Sequence, residues 1–432
     1  MKNWKLEIGN WKLKDFVKSL FRHPLFSGSA LMMGGNMLAN VVNYFYHLVM
    51  GRVLGPTSYG ELVSLYSILY MVSIIPISSS FAIVKKIAEE KTVSKQVATY
   101  VGIKKLMGTV ALTTFVVIVI FSPLLANFLK IENLLSVSLI SAMAYFSLLT
   151  LVNQATMQAQ LKFIGVVGPT IFSSIGKFAF GYILIFFGWG LLGAMWGVVL
   201  ASFFTYLLSK KLIGDFAKKV SSGEFAVKPF LKSVLPVLVQ AVSFTSIFTI
   251  DLILVKHFLP PFEAGLYAAL STLGKIIFFA VSPITSVMFP VISKKKAAGE
   301  GIKNIFLFSV LMTIGISTFI VLIYYLFPEL VIGYLYGNKY LSAKMDLVWM
   351  GLFISFYTVS YLLVSFFISI SKYWVVLLPF VAAVAQIVLI WFYHSSILGI
   401  IQISLQISVA LFLFLILYLG YNFFPNYVKE KK

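Results

Sequence analysis

The stretch Asn36-Met-Leu-Ala-Asn-Val-Val-Asn-Tyr-Phe-Tyr-His47 carries polar side chains in an otherwise apolar segment, at spacings of four, three and four residues: Asn36, Asn40, Asn43 and His47. These spacings put all four side chains on one face of an α-helix. An unpaired amide in hydrocarbon costs several kcal/mol, so this polar face must meet protein or water. Two interpretations are open: the face lines a substrate cavity, or it binds neighbouring helices.

The composition places this helix in a membrane. Of the 432 residues, 60% are hydrophobic and only 11% are charged, and the mean hydropathy is +0.97. A soluble domain with so many hydrophobic and so few charged residues could not cover its apolar surface. We therefore predict an all-α polytopic membrane protein. The absence of cysteine excludes disulfides and thiolate metal sites. With four histidines and 14 acidic residues, we expect no metal centre and no cofactor.

About twelve apolar stretches are long enough to cross a bilayer, which takes about 20 residues. They lie near 27–50, 62–84, 104–127, 134–158, 164–187, 190–209, 233–256, 263–292, 303–327, 346–370, 373–393 and 398–421. We expect two six-helix halves, 27–209 and 233–421, joined by a cytoplasmic linker at 210–232. Residues 1–26 mix lysines with aromatic and aliphatic residues, which is typical of an amphipathic helix at the membrane surface, and 422–432 form a tail.

The basic residues lie mainly on one side of this topology. The segments of this lysine-rich face are 1–26, 85–105, 159–163, 209–232, 293–304, 371–372 and 422–432, and they hold 27 of the 34 lysines and arginines. The lysine-poor face holds five, in 51–61, 128–133, 188–189, 256–262, 328–345 and 394–397. Cytoplasmic loops carry the excess of basic residues, so we predict a multi-pass plasma-membrane protein with both termini in the cytoplasm. The charge of +20 then reflects topology and contact with anionic membrane lipids, and we expect no nucleic-acid binding.

A sparse internal repeat supports two halves of equal topology. A shift of 205 positions aligns Leu54, Pro56, Gly60 and Leu65 with Leu259, Pro261, Gly265 and Leu270. The same shift aligns Pro123 with Pro328. Because each half has an even number of spans, both copies share one orientation. We therefore expect a pseudo-twofold axis along the membrane normal and a central cavity between the halves.

Cationic residues at membrane depth are few, and each is a candidate functional residue. Lys177 and Lys275 lie in the middle of the fifth and eighth predicted spans, and Arg52 lies at the outer mouth. Two buried cations and a nearby arginine suit an anionic ligand such as phosphate or pyrophosphate. Tyr267 and Ser271 share a helix face with Lys275, so we expect them to line the same cavity.

Asp251 is the one acid at membrane depth, and it has two interpretations. It is a candidate site for a coupling ion, or it forms a structural ion pair with Lys275 or Lys256. Gly176-Lys177 and Gly274-Lys275 lack the following Ser or Thr and the glycine-rich turn of a phosphate-binding loop. We therefore expect no ATPase site, and transport must draw on an ion gradient such as Na⁺ or H⁺, on the substrate gradient, or on both.

Three segments resemble the polysaccharide/oligosaccharide flippase family: Gly51–Leu62 with Ser64–Ser67, Asp251–Lys256 with Gly265–Ala269, and Tyr336–Tyr340. This family belongs to a superfamily that also contains multidrug and toxin extruders and peptidoglycan lipid flippases. The resemblance implies a V-shaped alternating-access transporter. It would move a polyprenyl-(pyro)phosphate-linked oligosaccharide to the outer leaflet, alongside glycosyltransferases and a polysaccharide polymerase. The interior of such flippases is often cationic, which Arg52, Lys177 and Lys275 would match.

Two other classes are alternatives. A cation-coupled multidrug extruder would need acids along its cavity, and Asp251 is the only acid at depth. A membrane-embedded glycosyl- or acyltransferase would need a catalytic acid or base, for which His47 with Asp251 is the only pair available. We therefore expect a flippase without catalytic residues. Its sugar would meet the polar face of Asn36–His47, with nearby tyrosines at 44, 46, 66 and 70.

The charge asymmetry predicts that the linker and the loop at 328–345 lie on opposite sides of the membrane. Because the chain has no cysteine, single cysteines at Ser221 and Ser342 report the two sides cleanly. A membrane-impermeant thiol reagent added to intact cells should label Ser342→Cys and leave Ser221→Cys unlabelled. Labelling of both from one side would contradict the twelve-span topology.

Overall fold

The computed structural model describes the backbone of residues 24–214, 216 and 227–429. Over these ranges the regular elements are α1 Pro24–Val72, α2 Ile74–Ala88, α3 Val93–Leu129, α4 Leu134–Ala159, α5 Ile164–Leu184, α6 Gly190–Ile213, α7 Val227–Phe258, α8 Pro261–Ala297, α9 Lys303–Leu326, α10 Pro328–Leu335, α11 Leu347–Ser369, α12 Leu377–Phe392 and α13 Ile397–Lys429. A π-helical turn at Ile185–Trp189 and 3₁₀ segments at Asn338–Asp346 and Tyr373–Val376 complete the set. Positions 1–23 of the predicted surface segment, and 215 and 217–226 of the predicted linker, lie outside the described residues.

The described helices confirm an all-α membrane protein. Ten segments are long and apolar enough to cross a bilayer, and two of them, Leu31–Ala88 and Ile164–Ile213, are 58 and 50 residues long. Each of the two is long enough to cross twice. A non-helical glycine interrupts each one, Gly55 in the first and Gly188 in the second, with φ of +73° and +87°. These breaks divide the ten segments into the twelve crossings that the hydropathy predicts.

Several boundaries differ from the prediction. The second crossing, predicted as one helix at 62–84, is interrupted at Ser73. Pro76 explains this break, because a proline has no N–H for the carbonyl of residue 72 and its ring clashes with that carbonyl. The predicted loop at 328–345 folds largely into α10 and a 3₁₀ segment. The last helix continues beyond the predicted end at 421, to Lys429.

The helices form two halves, α1–α6 and α7–α13, that face each other mainly through α1 and α8. Helices α1 and α2 also pack on α7. The ends of α1 and α8 near Pro24 and Ala297 belong to the lysine-rich face, and the Gly51–Glu61 turn and the start of α8 belong to the lysine-poor face. This arrangement brings segments some 200 residues apart in sequence into contact at the centre of the molecule.

The two halves come into close backbone contact at Gly60 and Gly265. A Cβ added to Gly60 would lie 2.8 Å from the backbone nitrogen of Gly265, and one added to Gly265 would overlap the carbonyl group of Pro56. The 205-residue shift aligns these two glycines, so equivalent positions of the two halves meet each other at the pseudo-twofold axis. No other residue type allows two backbones to come this close.

We expect Gly265→Ala to destabilise the observed conformation by about 1–3 kcal/mol, because the added methyl group must push two backbones apart. Gly315→Ala in α9 is the matched control, since nothing lies within 4 Å of the Cβ it adds. Thermal unfolding of the purified proteins in detergent measures both effects. A melting temperature of Gly265→Ala equal to that of the wild type would show that the halves do not approach this closely.

Candidate transport site

A cavity of about 990 Å³ separates the two halves on the side of the lysine-rich face. Its walls come mainly from the first part of α1 and the second part of α8. Asn36, Asn40 and Asn43 lie along the α1 wall, opposite Ser282 and Ser286 of α8. Amide and hydroxyl groups thus face each other across the space between the halves. The structure places three of the four polar residues of the α1 stripe in contact with this cavity.

Lys177 lies beyond the polar wall, against aromatic rings of α1. Its Nζ is 4.5 Å from the ring centroid of Tyr46 and 5.1 Å from that of Tyr66. Cation–π contacts of this kind contribute about 0.5–2 kcal/mol each. Within the described residues, no carboxylate forms an ion pair with Lys177. Two tyrosine rings therefore take the place of an acidic partner.

Lys275 occupies a comparable position in the second half. It is buried, and its Nζ lies 4.6 Å from the ring centroid of Phe248. The charge of Asp251 is close enough to act on Lys275, but the two do not form a direct ion pair. The ion pair between Asp251 and Lys275, one of the two interpretations of the sequence, is therefore absent from the described structure.

His47 connects the two lysines. Its ring packs edge-on against the rings of Tyr46 and Tyr66, at centroid distances of 5.3 and 5.1 Å. The ammonium groups of both Lys177 and Lys275 lie within electrostatic range of this imidazole. Its Nδ1 is buried and has no hydrogen-bond partner among the described residues. His47 therefore lies among the tyrosine rings that contact Lys177, at the end of the polar stripe nearest the lysine-poor face, and the charges of both lysines act on it.

Asp251 belongs to a separate polar cluster inside the second half. It accepts hydrogen bonds from the Tyr267 hydroxyl, at 2.6 Å, and from the backbone N–H of Leu252, at 2.8 Å. Close by, Gln386 of α12 donates to the Ser404 hydroxyl of α13 at 2.9 Å. This cluster ties α7, α8, α12 and α13 together around one buried carboxyl group.

The structure corrects the expectation for Tyr267 and Ser271. Both were expected along the cavity because they share a helix face with Lys275, but both are fully buried in the second half. The Tyr267 hydroxyl is used by Asp251, and the Ser271 hydroxyl has no hydrogen-bond partner among the described residues. The cavity side of α8 is formed instead by residues one or more turns further along, from Ile276 to Val291.

A cluster of tyrosines closes the space between the halves at the lysine-poor face. In this tyrosine closure the Tyr59 hydroxyl lies 3.1 Å from Thr272 Oγ1 and 3.0 Å from the Tyr336 hydroxyl. The Tyr340 hydroxyl donates to the carbonyl oxygen of Gly51 at 2.8 Å. Each of these bonds joins a residue of the first half to one of the second.

Charged groups reinforce the tyrosine closure. Lys256, only 1% exposed, lies 3.6 Å from Glu61 across the interface between the halves. Arg52 donates through Nε to the carbonyl oxygen of Leu335 at 3.0 Å and through Nη2 to that of Tyr334. The structure therefore uses Arg52 to bind the end of α10, apart from the lysines with which it was expected to act. It also pairs Lys256 with Glu61 and not with Asp251, the alternative drawn from the sequence.

The partners in this closure could not be found by inspecting one sequence. Tyr59 and Tyr336 are 277 positions apart, and no local sequence pattern indicates that the two residues are in contact. The available signal was indirect: both tyrosines occur within the segments that resemble the flippase family. Their cross-half hydrogen bonds appear only once the two halves are placed against each other.

Two helical halves that touch at one membrane face and enclose a cavity toward the other define a membrane transporter of the alternating-access class. The sequence model of the family described as polysaccharide biosynthesis protein matches residues 49–345. The chain therefore belongs to this family, which confirms the resemblance seen in the sequence. Among curated proteins, no sequence relative matches the chain.

Solved structures share this fold. The lipid II flippase MurJ in an inward closed conformation superposes with a TM-score of 0.74 at 14% identity, over 90% of this chain and 87% of that one. An inward-facing multidrug resistance MATE family transporter superposes with a TM-score of 0.69 at 16% identity, over 89% of this chain and 94% of that one. A MOP superfamily transporter from Pyrococcus furiosus superposes with a TM-score of 0.65 at 16% identity, over 94% of this chain and 98% of that one. These likenesses establish the fold.

We expect Glu61→Gln to open the tyrosine closure, because it leaves the buried Lys256 ammonium without its partner. A cysteine at Thr272, present in all variants, reports opening through its labelling by a water-soluble thiol reagent. Labelling should be faster in Glu61→Gln and return toward the starting rate in Glu61→Gln/Lys256→Met, which has no unpaired charge.

The matched control is Glu329→Gln, which breaks an exposed ion pair with Lys344 on the same face. Exposed pairs contribute about 0–1 kcal/mol, so labelling should stay unchanged. Equal labelling rates in Glu61→Gln and the starting protein would mean that the Lys256–Glu61 pair does not hold the closure.

Proposed function

We propose that the protein is a flippase that moves a polyprenyl-(pyro)phosphate-linked oligosaccharide across the plasma membrane. The lysine-rich face is cytoplasmic, so the cavity receives the head group from the inner leaflet and delivers it to the outer one. The observation that carries the proposal is Lys177, which has no acidic partner among the described residues and lines a chamber that shares Asn43 and Thr170 with the amide-lined cavity. Membership of the polysaccharide biosynthesis protein family supports it.

The energetics favour an anionic ligand between the two lysines. An ammonium group at membrane depth is unfavourable by about 2.5–3.5 kcal/mol even on lenient insertion scales. The cation–π contacts of Lys177 and Lys275 offset only part of this cost. A phosphate or pyrophosphate supplies the missing counter-charge and several hydrogen-bond acceptors. The amides of Asn36, Asn40 and Asn43 provide donors and acceptors for sugar hydroxyls.

The same cavity gives a lipid-linked substrate a place for its chain. Met33, Met37 and Val41 of α1 and Val287 and Val291 of α8 line the cavity and are also exposed at the surface of the helices. These apolar side chains would contact a polyprenyl chain that stays in the bilayer while the polar head group occupies the cavity. Glycosyltransferases on the cytoplasmic side would supply the substrate, and a polymerase on the outer side would consume it.

The geometry disfavours both alternatives. A multidrug extruder for cationic amphiphiles needs acids facing its substrate, but the residues that line the described cavity include none. Asp251 is buried among α7, α8, α12 and α13. An embedded transferase would use His47 and Asp251 together. The carboxylate is hydrogen-bonded to Tyr267 and Leu252, and His47 lies among the tyrosines of the first half.

We expect Lys177→Gln and Lys275→Gln each to lower flipping by at least tenfold, because losing one partner of a buried charge pair costs about 2–5 kcal/mol. Lys177→Arg should keep partial activity, since the charge remains while its geometry changes. Lys210→Gln, an exposed lysine of the lysine-rich face, is the control. The assay is the appearance of a labelled lipid-linked oligosaccharide in the outer leaflet of vesicles. Wild-type rates in both glutamine variants would refute the anion site.

Asp251 is the candidate site for a coupling ion in this proposal. Its buried carboxyl group accepts from the Tyr267 hydroxyl and the Leu252 N–H, and Tyr267 in turn interacts with Ser404, to which Gln386 donates. Asp251→Asn keeps the shape of the side chain and removes its charge. We expect it to abolish the dependence of flipping on an imposed Na⁺ or H⁺ gradient while substrate binding persists. If Asp251→Asn/Lys275→Gln recovers what each single change loses, the two residues form a structural pair and the coupling role is excluded.

A further inference from the structure

A second cavity lies entirely within the first half. It has a volume of about 300 Å³ and is enclosed by α1, α4, α5 and α6. Asn43 and Thr170 line both this cavity and the central one. It is therefore a side chamber of the central cavity, reached past those two residues. Lys177 also lines it, so the candidate phosphate site and the chamber are adjacent.

The chamber is lined largely by hydroxyl groups that present acceptors. Thr150 Oγ1 donates to the carbonyl oxygen of Phe146 at 2.8 Å, and Ser174 Oγ donates to that of Thr170 at 3.2 Å. A hydroxyl that gives its proton to its own helix keeps lone pairs to accept from another donor. The chamber thus offers acceptor oxygens beside one ammonium group, and no carboxylate lies among the residues that line it.

Thr205 is the observation that points to a ligand. It is 5% exposed and lines the chamber, and its Oγ1 has no hydrogen-bond partner among the described residues. A buried polar group without a partner costs about 1–3 kcal/mol. Rotation of the Thr205 side chain about χ1 would turn this shielded hydroxyl toward the chamber, where a ligand with hydroxyl groups would satisfy it. Apolar surface from Val198 and Ala201 of α6 provides contact for the C–H face of a ring.

We propose that this chamber binds a single neutral sugar ring, the one joined to the phosphate of the lipid-linked substrate. The inference rests on the proposed flippase function, because it assumes that a phosphate lies at Lys177. A volume near 300 Å³ is at the small end of ligand pockets, so it suits one ring and not a chain of several. The Lys177 ammonium and the lack of acids disfavour a cation, and the many acceptors match the donors of sugar hydroxyls. The rest of the oligosaccharide remains in the central cavity, and the chamber sets which first sugar is accepted.

The test compares binding of two probes to purified protein in detergent: a polyprenyl diphosphate carrying one N-acetylglucosamine or glucose residue, and the same polyprenyl diphosphate without sugar. Thr205→Val removes the hydroxyl and keeps the shape. We expect about fivefold weaker binding of the glycosylated probes, the loss of one hydrogen bond, and unchanged binding of the bare diphosphate. Thr313→Val is the matched control, because Thr313 is also buried with an unpartnered hydroxyl but lies in α9, outside the chamber.

The outcomes separate this inference from the proposed function. Equal weakening of glycosylated and bare probes by Thr205→Val, no effect on either, or an equal effect of Thr313→Val would overturn the sugar chamber and leave the flippase proposal intact. If Lys177→Gln leaves the binding of both probes unchanged, no phosphate lies at Lys177, and both the anion site and the assignment of the chamber to the phosphate-linked sugar fall. If the wild-type protein binds no probe, both proposals fall.

Discussion

Gly60 and Gly265 allow the backbones of α1 and α8 to touch, and the contacts that close the lysine-poor face depend on this approach. The tyrosine hydroxyls of the closure meet at 3.0–3.1 Å, and hydrogen bonds weaken steeply when such distances grow. A side chain at either glycine would hold the helices further apart and break these bonds. Because the two glycines are equivalent positions of the repeat, the contact lies at the pseudo-twofold axis. A rotation of one half against the other would preserve that point.

The bonds around this contact are individually modest. A neutral hydrogen bond contributes about 0.5–1.5 kcal/mol, and a partly exposed ion pair such as Lys256–Glu61 contributes little more. Together they stabilise the closed state of the lysine-poor face only moderately, so this face can still open. A ligand therefore needs to bind the alternative conformation better by only a few kcal/mol to exchange the two populations. Such a balance suits a transporter, which must open each face in turn.

Much of the fold followed from the sequence because lipid imposes strong constraints. Hydropathy identified the crossings, since every segment in hydrocarbon must be apolar and helical, and the asparagine stripe showed which side of α1 is polar. The rotation of α8 was harder to infer. Tyr267 and Ser271 share a face with Lys275, but that face turns into the second half, where Asp251 takes the tyrosine hydroxyl. The binding partners of Arg52 could not be inferred for a related reason. Its partners are backbone carbonyls of a short helix more than 280 residues away, which leave no trace in side-chain patterns.

Helix α1 links the cavity to the closure. Its first part forms the asparagine wall, Tyr46 and His47 meet Lys177 further along, and the segment from Gly51 to Gly60 forms the closure. Lys177 and Lys275 come from opposite halves, and the charges of both act on His47. An anion bound by both ammonium groups would attract the two halves and draw them together around the cavity. Because the halves touch at Gly60 and Gly265, closing the cavity side tends to separate the opposite face.

We infer that the phosphate of the substrate triggers the conformational change. We expect a water-soluble thiol reagent to label Asn40→Cys more slowly when a polyprenyl diphosphate is added. Unchanged labelling would exclude this coupling.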